Sequence, residues 1–460
     1  MVVLLGSVEK MCSDNKTLRG ALKCVSFTQC HRAVRVRCIY DDAFTSHNRA
    51  QVGRRLSVGS RDHLMWLGSE ARVVACPLPE RDNVNTMAAM KRVEGAIIYI
   101  LLKWLCIMVF FVLIWKTTNG EHSQIVKKDP TVVIALLIRN KAHTLPYFLT
   151  LLERLDYAKD RISLWVRSDH NEDRTIEILK LWLSSVEGQY HSVHAELLSS
   201  PPERLREEKG PAHWPSSRFT HVIELREEAL VAARKMWADY VWLLDCDVFI
   251  TNPQVLRLLI SKGHTVVAPV LKSDGLYSNF WCGMTEEYYY LRTEDYKPIL
   301  QRERIGCFHV PMVHSSVLID LRRASSNGLT FVSSKVPDYK GPHDDIITFA
   351  LAANKSGVPL YICNDNIYGF VMVPLEQSDS LELDFMQLVN LKLEVLVENS
   401  PLPVSELLAQ FVSYPERDTM GFDNIYMINL LRRPERRKRM QHCFKELGIQ
   451  ATILNAVDGL

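Results

Sequence analysis

The sequence predicts an α/β fold built on a mostly parallel β-sheet. Two runs carry most of that expectation. Residues 131–138 (TVVIALLI) and 240–244 (YVWLL) are almost wholly apolar, as strands buried on both faces are. Stretches with apolar residues at helical spacing alternate with such runs, and that alternation leads to parallel sheets. Composition agrees: of 460 residues, 47% are hydrophobic and 23% charged, enough chain for two or three domains and a sizeable core. The net charge of +2 gives no reason to expect a nucleic-acid partner.

In chain order, residues 1–95 are an Arg-rich leader without a sustained apolar period, expected to lack regular structure. Residues 96–115 (AIIYILLKWLCIMVFFVLIW) have the length of a membrane-crossing helix. Lys103 opposes insertion by about 2.5–3.5 kcal/mol at a helix centre, and the many Leu, Ile, Val and Phe residues offset it at roughly 0.3–0.6 kcal/mol each. Lys91 and Arg92 before the span orient it with its amino end cytoplasmic and the chain beyond residue 115 in the secretory lumen. Met90-Lys91-Arg92 plus the apolar run equally fits a signal peptide. Residues 116–130 read as a stem.

The sheet-forming region is expected over residues 131–375. After the first strand come a helix at 145–155, a strand at 162–166, and helices at 175–186 and 222–237, before the strand 240–244. Further strands are expected at 265–270, 317–320 and 360–363. Residues 376–420 lose the rhythm and hold Pro401, Pro403 and Pro415, which suggests a linker with one helix. A strand at 424–429, a basic helix at 434–447 and a strand opening at 452–454 read as the truncated start of a second α/β domain. Five cysteines lie beyond the apolar span (Cys246, Cys282, Cys307, Cys363, Cys443), an odd number for an oxidising compartment, and none has zinc-ligand spacing. Asn354-Lys355-Ser356 is a glycan-acceptor triplet.

Ligands on parallel sheets sit beyond the carboxyl ends of strands, so those positions are the candidate site. Asp245-Cys246-Asp247 follows YVWLL directly. Two carboxylates at that spacing can reach one hard cation, Mg²⁺ or Mn²⁺, with positions left for a diphosphate; a solvated strand-end turn is the bland alternative. Arg139 and Asn140 follow the first strand, and Asp169 and Asn171 follow the second. These side chains either face a nucleotide or open the next helix. Asp344 and Asp345 precede an apolar helix and fit a helix cap or a general base equally. Asn279 and Trp281 in YSNFWCG, and His314 in PMVHS, are candidates for a sugar or acceptor pocket.

SDHNEDRT, GPAHW, the D-C-D after YVWLL, YSNFWCGMT, GCFHVPMVHSSVLIDLR and HDDIITFA, in that order between about Pro130 and Pro374, resemble the procollagen galactosyltransferase family. GFDNIYMINLLRRPERRKRM with AVDG resembles the opening of that family's second transferase domain, of the lipopolysaccharide-glycosyltransferase type. The resemblance implies a GT-A-like nucleotide-sugar transferase domain and an inverting, Mn²⁺-dependent transfer. Galactose would pass from UDP-galactose to the hydroxyl of 5-hydroxylysine in collagen, in the lumen of the endoplasmic reticulum. It assigns the metal to Asp245 and Asp247 and the acidic pair to Asp344 and Asp345, with Asp345 as base. Asp245 also belongs among the nucleotide-sugar contacts, with Arg139, Asn140, Asp169 and Asn171. Three features depart from the family pattern: Cys246 replaces a small residue between the acids, a long leader precedes the apolar span, and most of the second domain and the terminal retention signal are missing. A second function also fits the sequence, that of an inactive relative acting in cell adhesion or as a partner of collagen-modifying enzymes.

Overall fold

The computed structural model describes residues 2–5, 102–110, 128–199 and 204–457. They fall into two units, one holding residues 1–9 and 128–460 and the other residues 10–127. In the second unit, residues 102–110 are helical, with Trp104, Leu105 and Phe110 exposed. The remainder of the apolar span at 96–115 lies outside the described residues. Among those described, no helix is long and apolar enough to cross a membrane. Nearly all of the expected leader is likewise outside the described residues.

The main unit is organised by β1 (Val132–Ile138), α1 (Leu145–Glu153), β2 (Ile162–Ser168), α2 (Thr175–Val186), β3 (Ser192–Leu197), α3 (Ser216–Lys235), β4 (Tyr240–Leu244), β5 (Val266–Pro269), β6 (Cys307–Val310), β7 (Ser316–Asp320), α4 (Asp345–Lys355) and β8 (Leu360–Cys363). The eight strands form one sheet in the order β6-β8-β5-β7-β4-β1-β2-β3. β4, β1, β2 and β3 pair in parallel, as do β5 and β8. β7 runs antiparallel to both β4 and β5, and β6 antiparallel to β8. The fold is therefore α/β with a largely parallel sheet, as expected.

Side-chain alternation along a strand explains why the central runs are apolar throughout. Val132, Ile134 and Leu136 enter one buried cluster with Leu145, Phe148, Ile178 and Trp182 of α1 and α2. Val133 and Ala135 enter the opposite cluster with Ala229, Leu230 and Ala233 of α3 and Ile347 and Ala350 of α4. Each large side chain so buried contributes roughly 1.5–3 kcal/mol. β3 and β6, which the sequence did not announce, are the two edges of the sheet. An edge strand has less apolar surface to cover, and β3 (SVHAEL) is half-buried to exposed along its whole length. α3 begins at Ser216, six residues ahead of the expected 222. The disulfide Cys307–Cys363 joins β6 to β8 at directly paired positions.

The expected linker at 376–420 carries α5 (Leu381–Glu398). Its buried Leu388, Leu391 and Val395 share a cluster with Tyr147, Leu151, Phe249 and Phe370, so this helix is packed onto the sheet domain rather than spanning a gap. Beyond it, β9 (Asn424–Leu430), α6 (Pro434–Leu447) and β10 (Thr452–Ala456) form the expected strand, basic helix and strand, with β9 and β10 parallel. Lys392 of α5 pairs with Glu446 of α6. Val2–Leu5, expected to lack regular structure, forms a strand on the free edge of β9 instead. An edge offers unpaired backbone N–H and C=O groups, and these residues satisfy them.

Candidate active site

Because β4, β1 and β2 are parallel neighbours, their carboxyl ends share one rim of the sheet. That rim brings together Arg139–Lys141 after β1, Asp169–Asn171 after β2 and Asp245–Asp247 after β4. β7 runs the opposite way with Ser316 opposite Leu244, so His314 and Ser315 enter at the same end. The Asp245 N–H donates to the Ser315 carbonyl over 2.8 Å, and Ser315 takes a left-handed φ of 60° to meet it.

Cys246 is buried in the core, whereas the side chains of Asp245 and Asp247 remain 26% and 27% exposed. The thiol between the acids is thus a packing group, and burial pushes it well above its ordinary pKa. The flanking carboxylates stay open to the rim. Arg226 from α3 connects the first of them to the second acidic pair. Its Nη2 lies 3.2 Å from Asp245 Oδ1 and its Nε 2.7 Å from Asp345 Oδ2, with only 14% of its side chain exposed. Burial raises the Asp345 carboxyl, the Arg226 charge pulls the other way, and the charges of Asp344 and Asp245 add to the rise.

The two acids before α4 divide the roles that the sequence left open. Asp344 is the helix cap: its Oδ1 accepts from Ile347 N–H at 2.8 Å, and Tyr290 Oη donates to its Oδ2 at 3.2 Å. Asp345 is buried with Arg226 and is free of a capping task.

Asp247 Oδ1 is buried and has no hydrogen-bond partner among the described residues. Its Oδ2 lies 3.6 Å from Lys141 Nζ. Burial raises the Asp247 carboxyl, the ammonium opposes this, and the like charge of Asp245 reinforces it. A hard divalent cation fits these residues, since it would take the unpartnered oxygen and relieve the repulsion between two neighbouring carboxylates. Lys141 is also bound to Asp384 of α5 at 3.0 Å, and His143 Nε2 stands 3.2 Å from the same carboxylate. Burial alone would raise Asp384, but His143 and Lys141 hold it down at about 2.

On the side of β1 and β2, Arg139 forms a two-pronged pair with Glu208 (2.8 and 2.5 Å) and donates from Nε to the His170 carbonyl. Asn171 Oδ1 accepts from Asn140 N–H, its Nδ2 donates to Ser168 Oγ, and Asn140 Oδ1 accepts from Glu172 N–H. These contacts tie the two strand-end loops together, with Asn140 and His170 both at positive φ. Buried Asn140 Nδ2 has no hydrogen-bond partner among the described residues. Asp169 lies 2.7 Å from His221 Nε2 of α3. Although burial alone would raise it, His221, His170 and Arg139 hold Asp169 below its ordinary range, and the same carboxylate raises His221. Ligand atoms of Asp169, His170 and His221 all lie within 4.8 Å of one another, close enough to hold a metal.

The pocket candidates separate. Asn279 is wholly buried and spends its amide on backbone and Ser278, donating to Pro269 O and accepting from Leu271 N–H and Ser278 Oγ. It braces the loop and offers no free polar atom. Trp281 is half-buried and stacks on Tyr290 at 5.2 Å, next to the acid that caps α4. His314 is buried with Nδ1 against Ser315 Oγ (3.0 Å), and its Nε2 has no hydrogen-bond partner among the described residues. Burial lowers it to about 4, so the ring is neutral near pH 7.

Sequence reasoning missed Arg226, Lys141, His221 and Asp384. Two of these left a signal. Arg226 lies three, four and seven residues before the buried Ala229, Leu230 and Ala233. Asp384 lies four, seven and eleven residues before the buried Leu388, Leu391 and Val395. A charge on an apolar helical stripe must find a partner in the core.

Residues 129–392 match the family described as Glycosyltransferase family 25, N-terminal domain. A protein of Aedes aegypti described as a glycosyltransferase 25 family member is 50% identical over 355 residues, covering 77% of this chain and 58% of its own length. Procollagen galactosyltransferase 2 of Mus musculus is 48% identical over 332 residues, covering 72% and 52%. The protein of the same description from Homo sapiens is 47% identical with the same coverage. The chain thus spans about half the length of the curated relatives it matches.

Proposed function

Because the chain belongs to glycosyltransferase family 25, we propose that its sheet domain is a metal-dependent, inverting transferase that moves galactose from UDP-galactose to hydroxylysine of collagen. The observation that carries this reading is the acidic rim after β4, where Asp245 and Asp345 share Arg226 while Asp247 keeps an unpartnered oxygen. Asp245 and Asp247 would hold Mn²⁺, which when bound neutralises the charge developing on the leaving diphosphate. Asp345 takes the proton of the acceptor hydroxyl as its oxygen bonds to the anomeric carbon and the bond to the diphosphate oxygen breaks. Burial keeps that carboxyl more basic than an exposed one, and Arg226 fixes its direction. Asp169 with His221, and the free Asn140 amide, line the side where a nucleoside would rest. Trp281 and neutral His314 are the remaining candidates for the sugar and acceptor. The described relatives support galactose and collagen as the transferred group and acceptor. The Cys307–Cys363 disulfide supports an oxidising lumen such as that of the endoplasmic reticulum.

The test uses the purified chain with UDP-galactose and a hydroxylysine peptide, with and without Mn²⁺. Transfer is expected to need Mn²⁺ and to fall by at least about a hundredfold in Asp247→Ala. Folded protein that neither hydrolyses the donor nor transfers the sugar overturns the reading and leaves a non-catalytic role.

A further inference from the structure

The cation site has a support on a helix far downstream of it. Lys141 Nζ is closer to Asp384 of α5 (3.0 Å) than to Asp247 (3.6 Å). Asp384 is itself buried, and His143 Nε2 lies 3.2 Å from the same Oδ2 that Lys141 meets. It cannot drift, because Leu388, Leu391 and Val395 anchor α5 against Tyr147, Phe249 and Phe370. The ammonium thus stands nearer to Asp384 than to the acid it faces across the rim, and Asp247 Oδ1 has no hydrogen-bond partner among the described residues.

We propose that Asp384 is a positioning residue of the divalent-cation site, holding Lys141 beside Asp247 while preventing it from closing on that carboxylate. The inference rests on the reading of Asp245 and Asp247 as cation ligands. At 3.6 Å the ammonium screens the clustered acids without a tight hydrogen bond. Released from Asp384, a flexible lysine would settle directly on Asp247 and compete with the incoming cation. Groups behind the ligands commonly set metal affinity in this way, and their loss costs about 10- to 100-fold. The sheet domain would then depend on residues of α5, beyond the last strand of the sheet.

The experiment measures Mn²⁺ binding to the full chain from the paramagnetic resonance of the free ion. It compares the wild type with Asp384→Asn, Lys141→Met and the double variant, with Asp247→Ala as control. Asp384→Asn is expected to weaken binding about 10- to 100-fold. The double variant is expected to return to within about threefold of Lys141→Met alone, because the competing ammonium is gone. Unchanged binding in Asp384→Asn overturns the proposal, as does a double variant no better than Asp384→Asn, since a merely structural acid would not be rescued. Lys141→Arg leaves Asp384 in place but puts a longer fork within reach of Asp247. It is expected to weaken Mn²⁺ in the same sense, and it decides the matter should Asp384→Asn not fold. A different pattern, no Mn²⁺ binding by the wild type or full binding by Asp247→Ala, removes the cation reading itself.

Discussion

Replacing Arg226 with Met removes the guanidinium that lies against both Asp245 and Asp345. Methionine roughly preserves the volume, so the change isolates the charge. Asp345 is then left buried without its counter-ion, and Asp245 loses its nearest cation. Breaking a buried pair by removing one partner costs about 3–5 kcal/mol. For a domain of this size each kcal/mol shifts the melting temperature by roughly 2–4 °C, so a fall of roughly 6–20 °C is expected in cation-free buffer. Two features distinguish this from a generic packing defect. Mn²⁺ at a hundred times its wild-type dissociation constant adds about 2.7 kcal/mol to the wild type; in Arg226→Met the uncompensated charge should tighten binding, so the same Mn²⁺ concentration should stabilise the variant by more. The second is the pH response. The Asp345 carboxyl is already raised by burial, and losing Arg226 raises it further. The folded variant then holds a proton that the unfolded chain has released, so its stability falls as pH rises and recovers on acidification. Arg226→Lys keeps the charge but cannot span both acids, so it should retain most stability and lose about a hundredfold in transfer. Calorimetry of the three proteins between pH 5 and pH 8 decides the point. An Arg226→Met variant within about 1 kcal/mol of wild type, with no added Mn²⁺ response, refutes the coupling of the two acidic pairs through this residue.

The division of labour before α4 predicts that Asp344→Ala lowers stability by about 1 kcal/mol through loss of the cap. Asp345→Asn leaves Arg226 its second carboxylate, Asp245, so it should cost less stability than Arg226→Met while losing transfer by about 10²–10⁴-fold; equal loss of transfer in Asp344→Ala and Asp345→Asn would contradict the assignment. His314 titrates near 4 when folded but near 6.5 when unfolded, so its contribution is intact above pH 6.5 and is lost progressively as pH falls towards 4. Between pH 6.5 and 5 that amounts to about 2 kcal/mol, and urea unfolding of His314→Gln should show a correspondingly smaller acid-side loss. Replacing Cys307 and Cys363 together by Ser opens a loop of 56 residues and should cost about 4 kcal/mol by chain entropy, read as a drop in the urea midpoint.

The central strands and the helices that cover them were legible because their information is local. TVVIALLI and YVWLL announce strands covered on both faces, and α2, β8 and α6 match their expected bounds. The acids of D-C-D and the pair before α4 could be nominated for the same reason: each follows a strand or opens a helix whose position the pattern reveals. The edges β3 and β6 were silent, because a strand with one free side needs no strong apolar period. What tertiary structure alone decided is which charges meet. Arg226 lies 19 residues before Asp245 and 119 before Asp345, and Lys141 lies 243 before Asp384; no local period relates such positions. Only the burial of α3 and α5 brings these charges to the rim. The low polarity of that surrounding then obliges each of them to find its partner.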